Sequence, residues 1–246
     1  MIPKIIHYCW FGSEVPAKIK NRVKEWKRIL PDYKFVLWNE KSFDIEKHEF
    51  TKYMYDSGRY AFVADYVRLF AVLKNGGIYL DTDVLLIKSF NSLLQNKCFF
   101  ALEDFDSINT GLGFGAEKSN PIIQDLMDIY DLKTSYLKRK DLLSFPTTVE
   151  IVSNYFRRLG FKNKNKNQRI SDTLILNSYY LAPQKVGQKK AHLRKYTIGI
   201  HEYDGSWTKQ SRYKLLLKRY FRTVFVKIFG SLKYQSFRNM IRKNNG

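Results

Sequence analysis

The 246-residue chain has only two cysteines, Cys9 and Cys98, too few for a disulfide framework or a cysteine-built zinc site. No apolar run approaches the ~18 residues that a spanning helix needs. Met1-Ile2-Pro3-Lys4 shows neither the apolar core nor the cleavage site of a signal peptide, so no leader is expected. No internal repeat is found. The last forty residues, from Trp207, hold no Asp or Glu. What is present is 44% hydrophobic and 16% aromatic content, which supports a substantial core and excludes wholesale disorder. The length suits one domain, or one domain with an appendage.

The formal net charge of +20 is unevenly placed. Residues 1–150 hold 21 basic and 20 acidic side chains, whereas residues 151–246 hold 22 and 3. A uniformly basic protein would point to nucleic acid; a near-neutral body with a basic C-terminal part does not.

Strand signals at residues 4–8, 34–38, 78–80 and 84–87 alternate with helical spacing at 21–30 and, most strongly, 59–74. The second helix stops at Asn75-Gly76-Gly77, where glycine can take the left-handed conformation. The alternation predicts an α/β domain with a mainly parallel sheet. Further strands are expected at 99–102, 111–115, 174–176, 179–181 and 196–200, helices at 121–130 and 148–159, and a polar surface loop at 162–169. From residue 211 onward, Leu217, Phe221, Val224, Phe225, Ile228, Phe229 and Leu232 form an apolar helical stripe flanked by bases. The division predicted is a body over 1–210 and a basic amphipathic tail over 211–246. The tail can lie on an anionic membrane or pack on the body; the lack of an offsetting acid favours the membrane.

Four groups of residues carry chemistry. Asp81-Thr-Asp83 follows a strand directly, and alternation puts its two carboxylates on one side, roughly 6–7 Å apart. Such a pair can hold a hard divalent cation together with phosphate oxygens, and it lies at the carboxyl end of its strand, where open α/β sheets bind ligands. The 59–74 helix is apolar on almost every side yet carries Asp65 and Arg68 three residues apart. Burying them requires that they pair, with each other or with a polar ligand. His7 to Gly12 ends the first strand with aromatics able to stack on a base. His201 to Trp207 sets a His, a Ser and a Trp around a glycine after a late strand.

Together these segments resemble glycosyltransferase family 32, the enzymes with a DxD sugar-binding motif that include yeast-type α-mannosyltransferases and bacterial capsular polysaccharide enzymes. The matching residues are 2–12, Trp38-Asn39, 61–84 (AFVADYVRLFAVLKNGGIYLDTDV), 108–111 and 201–207. The resemblance implies a GT-A fold, Rossmann-like, and retaining transfer of a hexose from a nucleotide sugar, UDP-linked by expectation. It further implies Mn²⁺ or Mg²⁺ on Asp83, with Asp81 on ribose or metal. His201 or Ser206 would complete the metal shell, and Trp207 would touch the diphosphate. Asp65 and Arg68 would bind the donor sugar with Asn109 near it, and Trp10 would stack on the base with His7 close by. Phe145-Pro146 stands where the family pattern has Gly-Pro, and no carboxylate among Glu103, Asp104 and Asp106 stands out as a nucleophile, which favours front-face transfer. The acceptor expected is a lipid-linked oligosaccharide in capsule or surface polysaccharide assembly, with the enzyme peripheral on the inner face of the cell membrane and no nucleic-acid partner. The competing readings are a basic nucleic-acid-binding protein or metal-dependent nuclease, and a non-catalytic membrane adaptor.

Overall fold

The computed structural model describes residues 1–136, 145–185, 188, 190–203, 212–230, 233–234, 236–238 and 240. In chain order the elements are β1 (Ile5–Cys9), α1 (Ala17–Ile29), β2 (Lys34–Trp38), α2 (Glu49–Asp56), α3 (Tyr60–Asn75), β3 (Gly77–Tyr79), β4 (Val84–Leu86), β5 (Cys98–Asp104), β6 (Ser107–Ile108), β7 (Phe114–Ala116), α4 (Pro121–Tyr136), α5 (Thr148–Arg158), β8 (Gln168–Ile170), β9 (Thr173–Leu176), β10 (Gly199–His201) and α6 (Arg212–Phe229). Among the described residues, eight strands form the central sheet in the order β2-β1-β3-β7-β5-β9-β8, with β6 paired to β5. Five of them (β1, β2, β3, β5 and β9) run one way, while β6, β7 and β8 run against them. The sheet is therefore mixed and mostly parallel, as in the GT-A α/β fold implied by the resemblance.

Two hydrophobic cores lie against this sheet. One gathers Val67, Leu69 and Val72 of α3 with residues of α2, α4 and α5. The other sets Val23 and Trp26 of α1 against Ile6, Ile78 and Leu80. Because α3 is covered by α2, α4 and the sheet, its apolar surface is buried nearly all round. Gly76 and Gly77 have φ of +65° and +105°, and a Cβ on Gly77 would come within 2.7 Å of the Ile5 carbonyl. These glycines let α3 turn straight into β3 with no linker, which fixes the helix relative to the strand.

Several expected boundaries shift. Residues 179–181 form a turn, not a strand, because the Asn177 side chain accepts from the Tyr179 amide (3.0 Å) and holds the chain in an Asx turn. The strand expected over 111–115 begins only at Phe114, and that over 196–200 only at Gly199. The 162–169 loop ends early, at β8. α2 is absent from the sequence-based expectation because its N-cap is His48, whose ring accepts from the Phe50 amide, rather than one of the usual capping residues. Phe145 is buried and packs on Phe50 and Tyr130, so the departure from Gly-Pro fills the core.

Candidate active site

The site lies where β3 ends. Asp81 and Asp83 follow this strand, and the chain then enters β4, which pairs outside the central sheet with β10. That antiparallel pairing places His201 opposite Val84, one residue beyond Asp83. The Glu202 amide also donates to the Asp83 carbonyl at 3.0 Å, and the Trp26 indole donates to the Val84 carbonyl at 2.8 Å, tying the ribbon to α1. The outcome is a trio, Asp81, Asp83 and His201, whose ligating atoms lie within 4.8 Å of one another.

His201 Nε2 stands 3.1 Å from Asp83 Oδ1 and 3.8 Å from Asp81 Oδ2. His201 is 6% exposed; its Nε2 faces the two carboxylates and its Nδ1 is buried with no hydrogen-bond partner. An imidazole so placed beside two carboxylates fits a divalent cation: one nitrogen and two carboxylate oxygens form an open set that leaves positions for other oxygens. Burial disfavours charge on His201, but Asp81 and Asp83 outweigh it and raise its pKa.

Behind the trio sits an ionic network. Arg68 is 5% exposed. Its Nη2 lies 3.0 Å from Asp65 and 3.3 Å from Asp81, Nη1 donates to the Thr110 hydroxyl at 3.1 Å, and Nε donates to the Ala64 carbonyl. The guanidinium packs over the Tyr79 ring, 4.8 Å from its centroid, and the Tyr79 hydroxyl donates to Asp81 Oδ1 at 2.8 Å. Burial pushes the Asp65 carboxyl up to about 6, against the pull of Arg68. Burial would do the same to Asp81, but there Arg68 prevails and holds it below the ordinary carboxylate range. Arg68 thus spends its donors on protein and sets the position and charge of Asp81.

Asn109 flanks the network: its carbonyl accepts from the Gly111 amide (2.8 Å) and its amide donates to Glu103 (3.2 Å). Gly111 approaches so closely that an added Cβ would stand 2.2 Å from Asp81 Oδ2. A Gly111→Ala variant is therefore expected to displace the Asp81 carboxylate and lower turnover by about 100-fold, the scale of a 1 Å misplacement. Circular dichroism and a steady-state assay on the same preparation separate this from misfolding.

His7, expected beside a base, is a core residue instead. Its ring is fully buried, with Nδ1 accepting from the Trp38 indole (3.1 Å) and Nε2 donating to the Gly76 carbonyl (2.8 Å). Neither nitrogen is left for a ligand. Trp10 sits half-buried beyond β1 and donates to Ser13. Ser206 and Trp207 lie outside the described residues. In the sequence Tyr79, Thr110 and Gly111 stand only as parts of a strand or a matching segment; nothing in their residue types announces their contacts.

Residues 16–100 match the family described as glycosyltransferase sugar-binding region containing DXD motif. The inositol phosphoceramide mannosyltransferase 3 of Schizosaccharomyces pombe is 34% identical over 126 residues, which are 50% of this chain and 35% of that protein. The chain thus spans about a third of that relative's length. An uncharacterized glycosyltransferase of Acanthamoeba polyphaga mimivirus is 28% identical over 194 residues, 74% of each chain. Among solved structures, the PaToxG glycosyltransferase superposes with a TM-score of 0.48 at 17% identity, covering 64% of this chain and 68% of that one. The sugar-binding match and the residues that form the acidic site agree: residues 16–100, which carry Asp81 and Asp83, are similar to the sugar-binding region of the DXD-motif glycosyltransferases.

Proposed function

We propose that this glycosyltransferase is a retaining, metal-dependent enzyme that moves a hexose from a nucleotide sugar, a UDP-sugar by preference, to a lipid-linked oligosaccharide in capsule or surface polysaccharide assembly. The observation that carries this reading is the Asp81–Asp83–His201 trio, with an imidazole otherwise unpartnered, at the carboxyl end of β3. Mn²⁺ or Mg²⁺ bound there supplies positive charge to a departing diphosphate. The fission-yeast relative is named as an inositol phosphoceramide mannosyltransferase, which supports a hexose and a lipid-borne acceptor. The tail supports a place at the inner face of the cell membrane; among the described residues no helix is long and apolar enough to cross one.

The residues divide the work. Arg68 keeps Asp81 ionised and fixed; Asp65, beside Arg68 on the same helix, offers a carboxylate to donor-sugar hydroxyls; Asn109 and Gly111 shape the wall next to Asp81. In the transfer the bond between the anomeric carbon and the diphosphate oxygen breaks. A bond to the acceptor hydroxyl forms on the same face, and the hydroxyl proton passes to the departing diphosphate. Front-face transfer is supported by the state of the other carboxylates: Asp104 and Asp106 face Arg222, and Glu103 accepts from Asn109. A nucleotide-sugar hydrolysis screen tests the reading and names the donor. One sugar nucleotide is expected to be hydrolysed with Mn²⁺ and spared after chelation. Hydrolysis of none, or of one equally well after chelation, would overturn it.

A further inference from the structure

α6 docks the other way round from an ordinary terminal helix, which buries its apolar stripe. Leu217, Phe221, Val224 and Ile228 are exposed by 52, 50, 39 and 66%. The side turned inward carries Val226, 4% exposed, and an arginine. Arg222 Nη2 meets Asp106 Oδ1 at 2.6 Å, and Nη1 lies 3.9 Å from Asp104 Oδ2. Beyond Gly230, whose φ of +84° turns the chain, Phe237 stacks on Phe225 at 5.3 Å and Arg238 pairs with Glu150. The two arginines therefore grip two segments that frame the site. One is the β5–β6 hairpin, which runs directly into Asn109 and Thr110. The other is the start of α5, where Glu150 closes a capping box with Thr147 and the Thr148 hydroxyl meets that of Thr110 at 3.3 Å.

We propose that the C-terminal segment is a membrane-docking platform: Arg222 and Arg238 clamp it to the body, its outward apolar stripe enters an anionic bilayer surface, and the clamp turns the Asn109–Gly111 side of the site toward the lipid. The orientation rests on the proposed lipid-borne acceptor; the docking does not. The occupant follows from charge. The last forty residues hold 11 bases and no acid, so two copies of the stripe brought face to face would repel. A polynucleotide would engage the bases and leave the apolar stripe in water. An anionic bilayer takes both, headgroups to the bases and acyl chains to the stripe.

The test uses the full chain and vesicles of equal parts phosphatidylcholine and phosphatidylglycerol, against phosphatidylcholine alone. Co-sedimentation is expected to be at least ~10-fold stronger with the anionic vesicles, and lost in Leu217→Ser/Phe221→Ser/Ile228→Ser while donor hydrolysis is kept. The native cysteines are buried, so a fluorophore can be placed on Phe105→Cys, in the hairpin turn between the two acids that Arg222 holds. A headgroup-borne quencher is expected to quench it. Adding Arg222→Ala/Arg238→Ala should abolish the quenching and leave co-sedimentation in place. Undiminished vesicle binding by the serine variant overturns the docking. So does light scattering that shows the stripe joining two copies, or RNA binding with no vesicle binding. Quenching unchanged by the arginine substitutions overturns the clamp. Failure of the enzymatic reading has a different signature: vesicle binding intact with no sugar nucleotide hydrolysed.

Discussion

Asp83→Ala is expected to lower metal-dependent donor hydrolysis by about 1,000-fold, that is ~4 kcal/mol of transition-state stabilisation. Asp83 is one of only three groups in the trio, and its Oδ1 lies 3.1 Å from the His201 nitrogen. Removing it leaves one carboxylate, Asp81, already engaged by Arg68 and Tyr79. The main chain should be indifferent, since the Asp83 backbone carbonyl still accepts from Glu202. Two measurements check this. Mn²⁺ binding followed by electron paramagnetic resonance should weaken with the activity, and the melting temperature should hold. A variant that keeps more than a tenth of wild-type hydrolysis would place the catalytic metal elsewhere.

Arg68→Ala acts on the fold before it acts on the chemistry. Breaking a buried ion pair from one side costs about 3–5 kcal/mol, because the partner is left charged and unpaired. Here two partners are left. Asp65 and Asp81 both rely on the guanidinium, and each raises the energy of ionising the other. For a chain of this size the loss corresponds to a fall in melting temperature of roughly 6–20 °C. Arg68→Lys should recover only part of it, since one ammonium cannot span Asp65, Asp81 and Thr110 together. Calorimetry decides: a melting temperature within 2 °C of wild type in Arg68→Ala, roughly the effect of 1 kcal/mol or less, would show that the network contributes little to stability.

Much of this network could be read from the sequence, because it is local. Asp65 and Arg68 sit three apart on one helix, Gly76-Gly77 ends that helix, and Asp81 and Asp83 follow the next strand. Local spacing fixed their common side before any tertiary contact was known. What escaped depends on pairing between distant segments. The antiparallel strands β7 and β8 are three residues long and carry no distinctive alternation, so which strands run against the mainly parallel sheet was not legible. Thr110 reaches Arg68 only because the chain after the β5–β6 hairpin returns beside α3. His7 misled because a histidine in a short strand has the same sequence signature whether it faces a ligand or, as here, joins Trp38 to Gly76 inside the sheet. The tail's amphipathic pattern was legible; that Arg222 and Arg238 would face inward was not, since the acids that hold them belong to β5, the β5–β6 turn and α5.

The ribbon of β4 and β10 has a consequence for the order in which the protein becomes competent. The diacid is complete as soon as β3 and its following turn exist, early in synthesis. Its imidazole comes from the far end of the body, carried on a three-residue strand that, among the described residues, pairs only with β4. A nascent chain, or one clipped before Gly199, therefore holds two carboxylates without the nitrogen that completes the trio. Under the proposed function, retention of the cation would report chain completion: a polypeptide that has the Arg68 network but not β10 would still lack the third member of the trio.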